Sequence, residues 1–200
     1  MKDRKISSEK LNFIVAVCAI LISAASFYAT YLQADAANKQ VKAMTMPLLQ
    51  FGSGNWDETD KENQLTFSLN NAGAGAALIK NVAFYYKNTK YLSLEKFMEA
   101  CCDPEYSQFL DKMRNRSDKT DSFSEKGGFP MTRPIDNSVL VGGGKNEFFQ
   151  MVLSQQNEKF WRKLNKERFH LKIKVCFCSL LDDCYITKEN GVATPVDQCL

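Results

Sequence analysis

The stretch KVCFCSLLDDCYI, residues 174–186, sets Cys176, Cys178 and Cys184 around a short polar turn, in a chain with seven cysteines among 200 residues. Thiols so grouped suit three chemistries: zinc ligation, thiol–disulfide exchange and cross-linking. Structural zinc ligands usually come as C-x2–4-C pairs, whereas this chain offers the adjacent Cys101-Cys102 and the C-x-C of Cys176 and Cys178. A C-x-x-C redox motif is absent from the sequence. Cross-linking is the favoured reading, with zinc as the sharper rival. It requires an oxidising compartment, because cytosolic thiols stay reduced.

Other candidate chemistry is sparse. A single histidine, His170, thins the options for acid–base work and histidine-ligated metal. NNAGAGAALIKNV supplies Gly73 and Gly75 of a dinucleotide fingerprint, but Leu78 stands where the third glycine belongs and a strand pattern follows. A glycine-rich turn between strands is the expectation there, and again at Gly142-Gly143-Gly144. Asp182-Asp183 falls in a hairpin loop, where aspartate is favoured for local hydrogen bonding. Asp118, Asp121 and Asp136, in the polar stretch around residues 115–137, are the carboxylates an enzyme would draw on. The net charge of +3 is small and the basic residues are dispersed, so no nucleic-acid footprint is indicated. No catalytic residue, cofactor or metal ligand is assigned.

The compartment is set near the amino terminus. Residues 11–32, LNFIVAVCAILISAASFYATYL, carry no formal charge, and roughly 20 apolar residues suffice to cross a bilayer as a helix. Lys2, Arg4, Lys5 and Lys10 precede the segment, while only Lys39 and Lys42 follow it closely. The positive-inside bias therefore predicts a cytoplasmic amino terminus and an exported remainder. A cleaved signal peptide ending at Ser23-Ala24-Ala25 is the rival; an uncleaved anchor is expected because apolar character continues past that point. Val17 before Cys18 argues against a lipoprotein. Beyond the membrane, Ala34, Ala37, Val41 and Met44 recur at helical spacing, predicting a stalk that Pro47 ends. Self-association through that seam, or through Ala25 and Ala29, would follow from small-residue spacing. The divisions are a cytoplasmic tail at 1–10, a transmembrane helix at 11–32, a stalk at 33–46 and an exported domain at 47–200. The cell membrane would hold it as a single-pass protein, with the domain periplasmic if the host is Gram-negative.

From Pro47 onward the pattern shortens to alternating runs. In QLTFSLN, Leu65, Phe67 and Leu69 oppose Thr66, Ser68 and Asn70; NVAFYYKN repeats this with Val82, Phe84 and Tyr86. EFFQMVL sets Phe148 on one face with a polar interruption at Gln150, and HLKIKVCFC sets Leu171, Ile173, Val175 and Phe177. MPLLQFGSG and DCYIT add an earlier and a later strand. Six or more short strands favour a mainly β, antiparallel β-sandwich. YLSLEKFMEACC and PEYSQFLDKMRN read as two short helices inserted at residues 91–115. NEKFWRKLNKERF reads as a third helix. Its Lys159, Arg162, Lys163, Lys166 and Arg168 would either be solvated or meet an acidic partner or anionic headgroups.

The anchor, the stalk ending in MPLLQF, the stretch NNAGAGAALIKNV and the late cysteine hairpin together resemble a loose group of uncharacterised bacterial single-pass membrane proteins. That resemblance implies an exported immunoglobulin-like domain and carries no activity.

Six cysteines lie past the anchor: Cys101, Cys102, Cys176, Cys178, Cys184 and Cys199. Strand alternation puts Cys176 and Cys178 opposite the core face, beside Lys172 and Lys174. The expected bridges join Cys101 and Cys102 to Cys176 and Cys178, pinning the helical insertion to the sheet. Cys184 and Cys199 would then tie down the carboxyl terminus, closing a roughly 15-residue loop for about 3 kcal/mol. The functional expectation is a non-enzymatic, membrane-anchored binding or accessory module with a protein partner. The alternative is a tethered enzyme using carboxylates of the 115–137 loop.

Overall fold

The computed structural model describes residues 8–115, 128–187 and 192–199. Helix α1, Ser8–Thr45, runs for 38 residues without a buried side chain, about 57 Å at 1.5 Å per residue. It is long and apolar enough to cross a membrane. The Thr30 hydroxyl donates to Ser26 O at 2.9 Å, which satisfies a polar group inside the uncharged segment. Pro47, lacking an N–H, lies just past its end. The boundary between two compact units falls between Met44 and Thr45.

Among the described residues, the second unit contains ten strands in two antiparallel sheets. One sheet has the order β1 (Leu49–Gly54), β2 (Gln64–Asn71), β7 (Lys145–Val152), β5 (Met131–Thr132). The other runs β10 (Ala193–Val196), β9 (Cys184–Thr187), β8 (Leu171–Cys178), β3 (Ala77–Tyr86), β4 (Thr89–Tyr91), with β6 (Ser138–Leu140) also on β3. Pro195 sits in edge strand β10, opposite Tyr185. The two sheets share one core: Phe84 of β3 meets Phe148 of β7 edge-on, with centroids 6.2 Å apart. Over the described residues 40% are helical and about 33% lie in strands, so mainly β describes the second unit and not the whole chain.

Leu65, Phe67 and Leu69 are buried on one face of β2 as the alternation predicts. In β7 the alternation slips. A register shift opposite Phe67/Ser68 makes a β-bulge, so that Phe148 and Phe149 are both buried while Gln150 pairs across from Thr66. A bulge sets two residues against one, which period-2 reading does not anticipate.

Helices α2 (Leu94–Cys102), α3 (Glu105–Arg114) and α4 (Glu158–Glu167) contribute Phe97, Phe109, Phe160 and Leu164 to the same core. Ser93 caps α2 by accepting from Lys96 N at 3.3 Å. Phe160 of α4 packs against Tyr106 and Phe109 of α3, centroids 5.0 and 5.3 Å away. Phe97 of α2 meets Tyr86 at 5.5 Å. The basic face of α4 is partly consumed by intramolecular pairing. Arg162 bonds Glu158 at 2.8 Å, Lys163 lies 3.8 Å from Glu167, and Arg168 is buried.

Asn71, 1% exposed, joins three segments. Its Oδ1 accepts from Leu48 N and Gly73 N, each at 3.0 Å. Its Nδ2 faces Gly75 O, Leu140 O and Val141 O at 2.7, 3.1 and 3.2 Å. The glycine-rich turn is therefore a cradle for this amide, and its glycines are sterically required. A Cβ on Gly75 would come within 1.7 Å of Thr45 O.

Two residues of this fold invite direct measurement. Asn71→Ala leaves buried backbone donors and acceptors without partners, at roughly 1–3 kcal/mol each where water cannot replace the amide. Urea unfolding should show a loss of about 3 kcal/mol with an unchanged m-value, and a loss under 1 kcal/mol would contradict this account. Glu167 joins α4 to β3, its Oε2 accepting from Tyr86 Oη at 2.8 Å. That bond, aided by Lys163, Lys87 and His170, holds the carboxyl below its ordinary value against the opposing pull of burial. A depressed folded pKa adds stability that is full above the unfolded value of about 4.3 and lost as pH falls through the folded value. The stability difference between wild type and Glu167→Gln should therefore be constant above about pH 5 and close on acidification.

Candidate functional site

The structure pairs Cys101 with Cys102, Cys176 with Cys199, and Cys178 with Cys184. This replaces the expected bridges from the helical insertion to β8, and the expected Cys184–Cys199 bridge. The reason lies in which side of the sheet each thiol occupies. Phe97 touches Tyr86, so α2 packs on the core face of β3, and Cys101 and Cys102 are buried there. On β8, Val175 and Phe177 take the core face and Cys176 and Cys178 the opposite one. The adjacent pair on α2 bonds to itself. Cys178 and Cys184 are register partners across the β8–β9 hairpin, and the tail after β10 returns Cys199 to Cys176. The Cys178, Cys184 and Cys199 sulfurs all lie within 4.8 Å of one another, a crowding that two neighbouring bridges account for. Cys18 in α1 is a free thiol.

Of the candidate enzymatic carboxylates, one falls within the described residues. Asp118 and Asp121 lie outside the described residues, and Asp136 is exposed. His170 is 60% exposed, with Nδ1 3.5 Å from Glu167 Oε2.

A concave surface lies elsewhere, on the outer face of the first sheet. Strand register builds it. Gly52 and Gly54 of β1 stand opposite Ser68 and Thr66 of β2, and β2 in turn sets Ser68 opposite Glu147 and Asn70 opposite Lys145 of β7. Each of these residues is small or polar, because the partners of the apolar core positions point outward. Two glycines in the edge strand leave bare backbone beside this polar row. The result is a groove of about 420 Å³, within the size range of small-ligand sites.

The turn after β1 closes one end. Asp57 pairs with Glu62 as an isolated bridge, and Asp57 Oδ1 accepts from Thr59 N at 2.7 Å and Asp60 N at 3.1 Å. This self-capped turn holds Trp56 on the groove's rim with 53% of its surface exposed. Asp57, Glu58 and Thr59 complete that wall. At the other end Lys145 Nζ sits 2.6 Å from Glu147 Oε1, and Gln150 donates to the second oxygen of the same carboxylate. Ser68 forms a floor only 4% exposed. Arg168 fixes the strand from behind, donating from Nη1 to Ser53 O at 3.0 Å and to Ser53 Oγ at 2.9 Å. Burial lowers the pKa of that guanidinium.

Sequence reading assigned Thr66, Ser68 and Asn70 to a solvent face and did not single out Trp56. The available signal was the run FGSGNW, in which alternate glycines on a strand precede an aromatic residue. The arrangement offers hydroxyl, amide and carboxylate groups with one flat aromatic face.

Peptide mapping without reductant should recover Cys176–Cys199 and Cys178–Cys184 fragments. Any fragment joining Cys101 or Cys102 to Cys176 or Cys178 contradicts the assignment. The Cys176→Ser/Cys199→Ser pair opens a link spanning 23 residues, so unfolding free energy should drop by about 3 kcal/mol. No family model, curated protein or solved structure matches this chain.

Proposed function

We propose that the chain is a membrane-anchored, non-enzymatic binding module whose ligand surface is the Trp56 groove. In this reading α1 crosses the cell membrane with its amino terminus in the cytoplasm. The second unit is an immunoglobulin-like sandwich held outside, in the periplasm of a Gram-negative host. The observation that carries the proposal is the groove itself: a polar, glycine-cleared concavity with a half-exposed tryptophan, on a sheet whose opposite face buries Leu65, Phe67 and Leu69. An exposed aromatic ring costs solvation and is enriched where surfaces bind. Support for the compartment comes from the uncharged 11–32 segment, the excess of lysine and arginine before it, and three disulfide pairs in the second unit. No cofactor is part of the proposal.

Two measurements test it. An impermeant maleimide applied to reduced, intact cells should label the cysteines after the anchor; labelling that appears only after lysis overturns the orientation. Gly54→Leu fills the groove where an added Cβ meets no atom within 4 Å, so it should leave folding intact. Pull-down from solubilised membranes should retain a stoichiometric envelope component with the wild type and lose it with this variant. Equal retention by both would remove the groove from the account.

A further inference from the structure

The lining of the groove selects among ligand classes, and we infer that it takes a neutral oligosaccharide. This rests on the groove being the binding surface, as proposed above. Ser68 and Thr66 bring hydroxyls, and Asn70 an amide, into one row along β2. Groups of this kind both donate and accept, as sugar hydroxyls do. Trp56 supplies the complementary feature, a flat apolar face on which the C–H side of a pyranose ring stacks. A sugar ring needs that face beside open floor, and Gly54 provides it: space above its backbone is empty to 4 Å.

Charge excludes the main alternatives. Among the described residues the groove holds three carboxylates, Asp57, Glu58 and Glu147, against one cation, Lys145. That cation is engaged by Glu147 at 2.6 Å. A phosphate, a nucleic acid or an anionic headgroup therefore meets an excess of negative charge in this lining. An extended peptide adding to edge strand β1 would pair with its backbone margin, leaving the side-chain row of β2 and Trp56 largely unused.

The chain's two tryptophans make the test direct. Trp56 is 53% exposed, whereas Trp161 is 4% exposed and donates from Nε1 to Met151 O at 3.0 Å. Full-length protein is titrated in a detergent without a sugar headgroup. The probes are β-linked glucose and N-acetylglucosamine tetrasaccharides, inorganic polyphosphate and an unstructured neutral peptide. The expected result is a saturable blue shift of emission with a neutral tetrasaccharide. Calorimetry should show that affinity falling at least tenfold in both Trp56→Ala and Gly54→Leu, with thermal unfolding unchanged. Polyphosphate and the peptide should give no saturable signal.

Absence of saturable binding to both tetrasaccharides overturns the sugar assignment, as does preference for polyphosphate or the peptide. Unchanged tetrasaccharide affinity in Gly54→Leu overturns it too, since the sugar then lies elsewhere. If the sugars fail while the membrane component is still lost with Gly54→Leu, the ligand class is wrong and the binding surface stands.

Discussion

One side-chain amide organises the second unit. Asn71 ends β2, and its five polar contacts reach the chain before β1, the glycine-rich turn and the end of β6. Each is a backbone group that an interior without water would otherwise leave unpaired. The same residue's backbone nitrogen donates to Gly144 O at 2.9 Å, and its carbonyl accepts from Gly143 N at 2.9 Å. Three irregular segments are thus resolved at one point, where neither sheet's ladder supplies partners. A hydrophobic residue of similar volume has nothing to offer these carbonyls and N–H groups.

That anchorage sets the register of β1 on β2, since Leu49 opposes Asn71 at the start of the ladder. Every later pairing advances in steps of one. Phe51 falls opposite Leu69 and points inward, where it lies 6.0 Å from Phe67. Gly52 and Gly54 fall on the other face, over Ser68 and Thr66. A slip of one residue exchanges the faces, exposing Phe51 and burying the polar row. The packed side and the hollow side of this sheet are consequences of the same alignment. Arg168 reinforces it from the far end through Ser53.

Local pattern made the elements legible. Period-2 alternation identified β2, β3 and β8 because each has one core face, and the amphipathic runs at residues 94–114 and 158–167 became helices. The uncharged 11–32 segment and Pro47 similarly defined α1 and its end. The features that escaped were non-local. The bulge in β7 depends on its partner strand, so Phe148 and Phe149 both turning inward has no signature in EFFQ alone. The cysteine partners depended on which sheet face the inserted helices cover, and alternation within β8 gives no information about that. Trp56 and the glycines of β1 were invisible as a site because their meaning comes from Thr66, Ser68 and Asn70 beside them.

The carboxyl-terminal margin of the second sheet has its own consequence. Unpaired strand borders invite foreign chains to zip on. Pro195 gives β10 a position with no N–H to offer such a visitor. The sulfur link at Cys199 tethers the chain just past the strand, so this border neither extends a regular row of donors nor peels away to expose β9. A crowded solution of this protein is thereby guarded, at that border, against growing into fibrils.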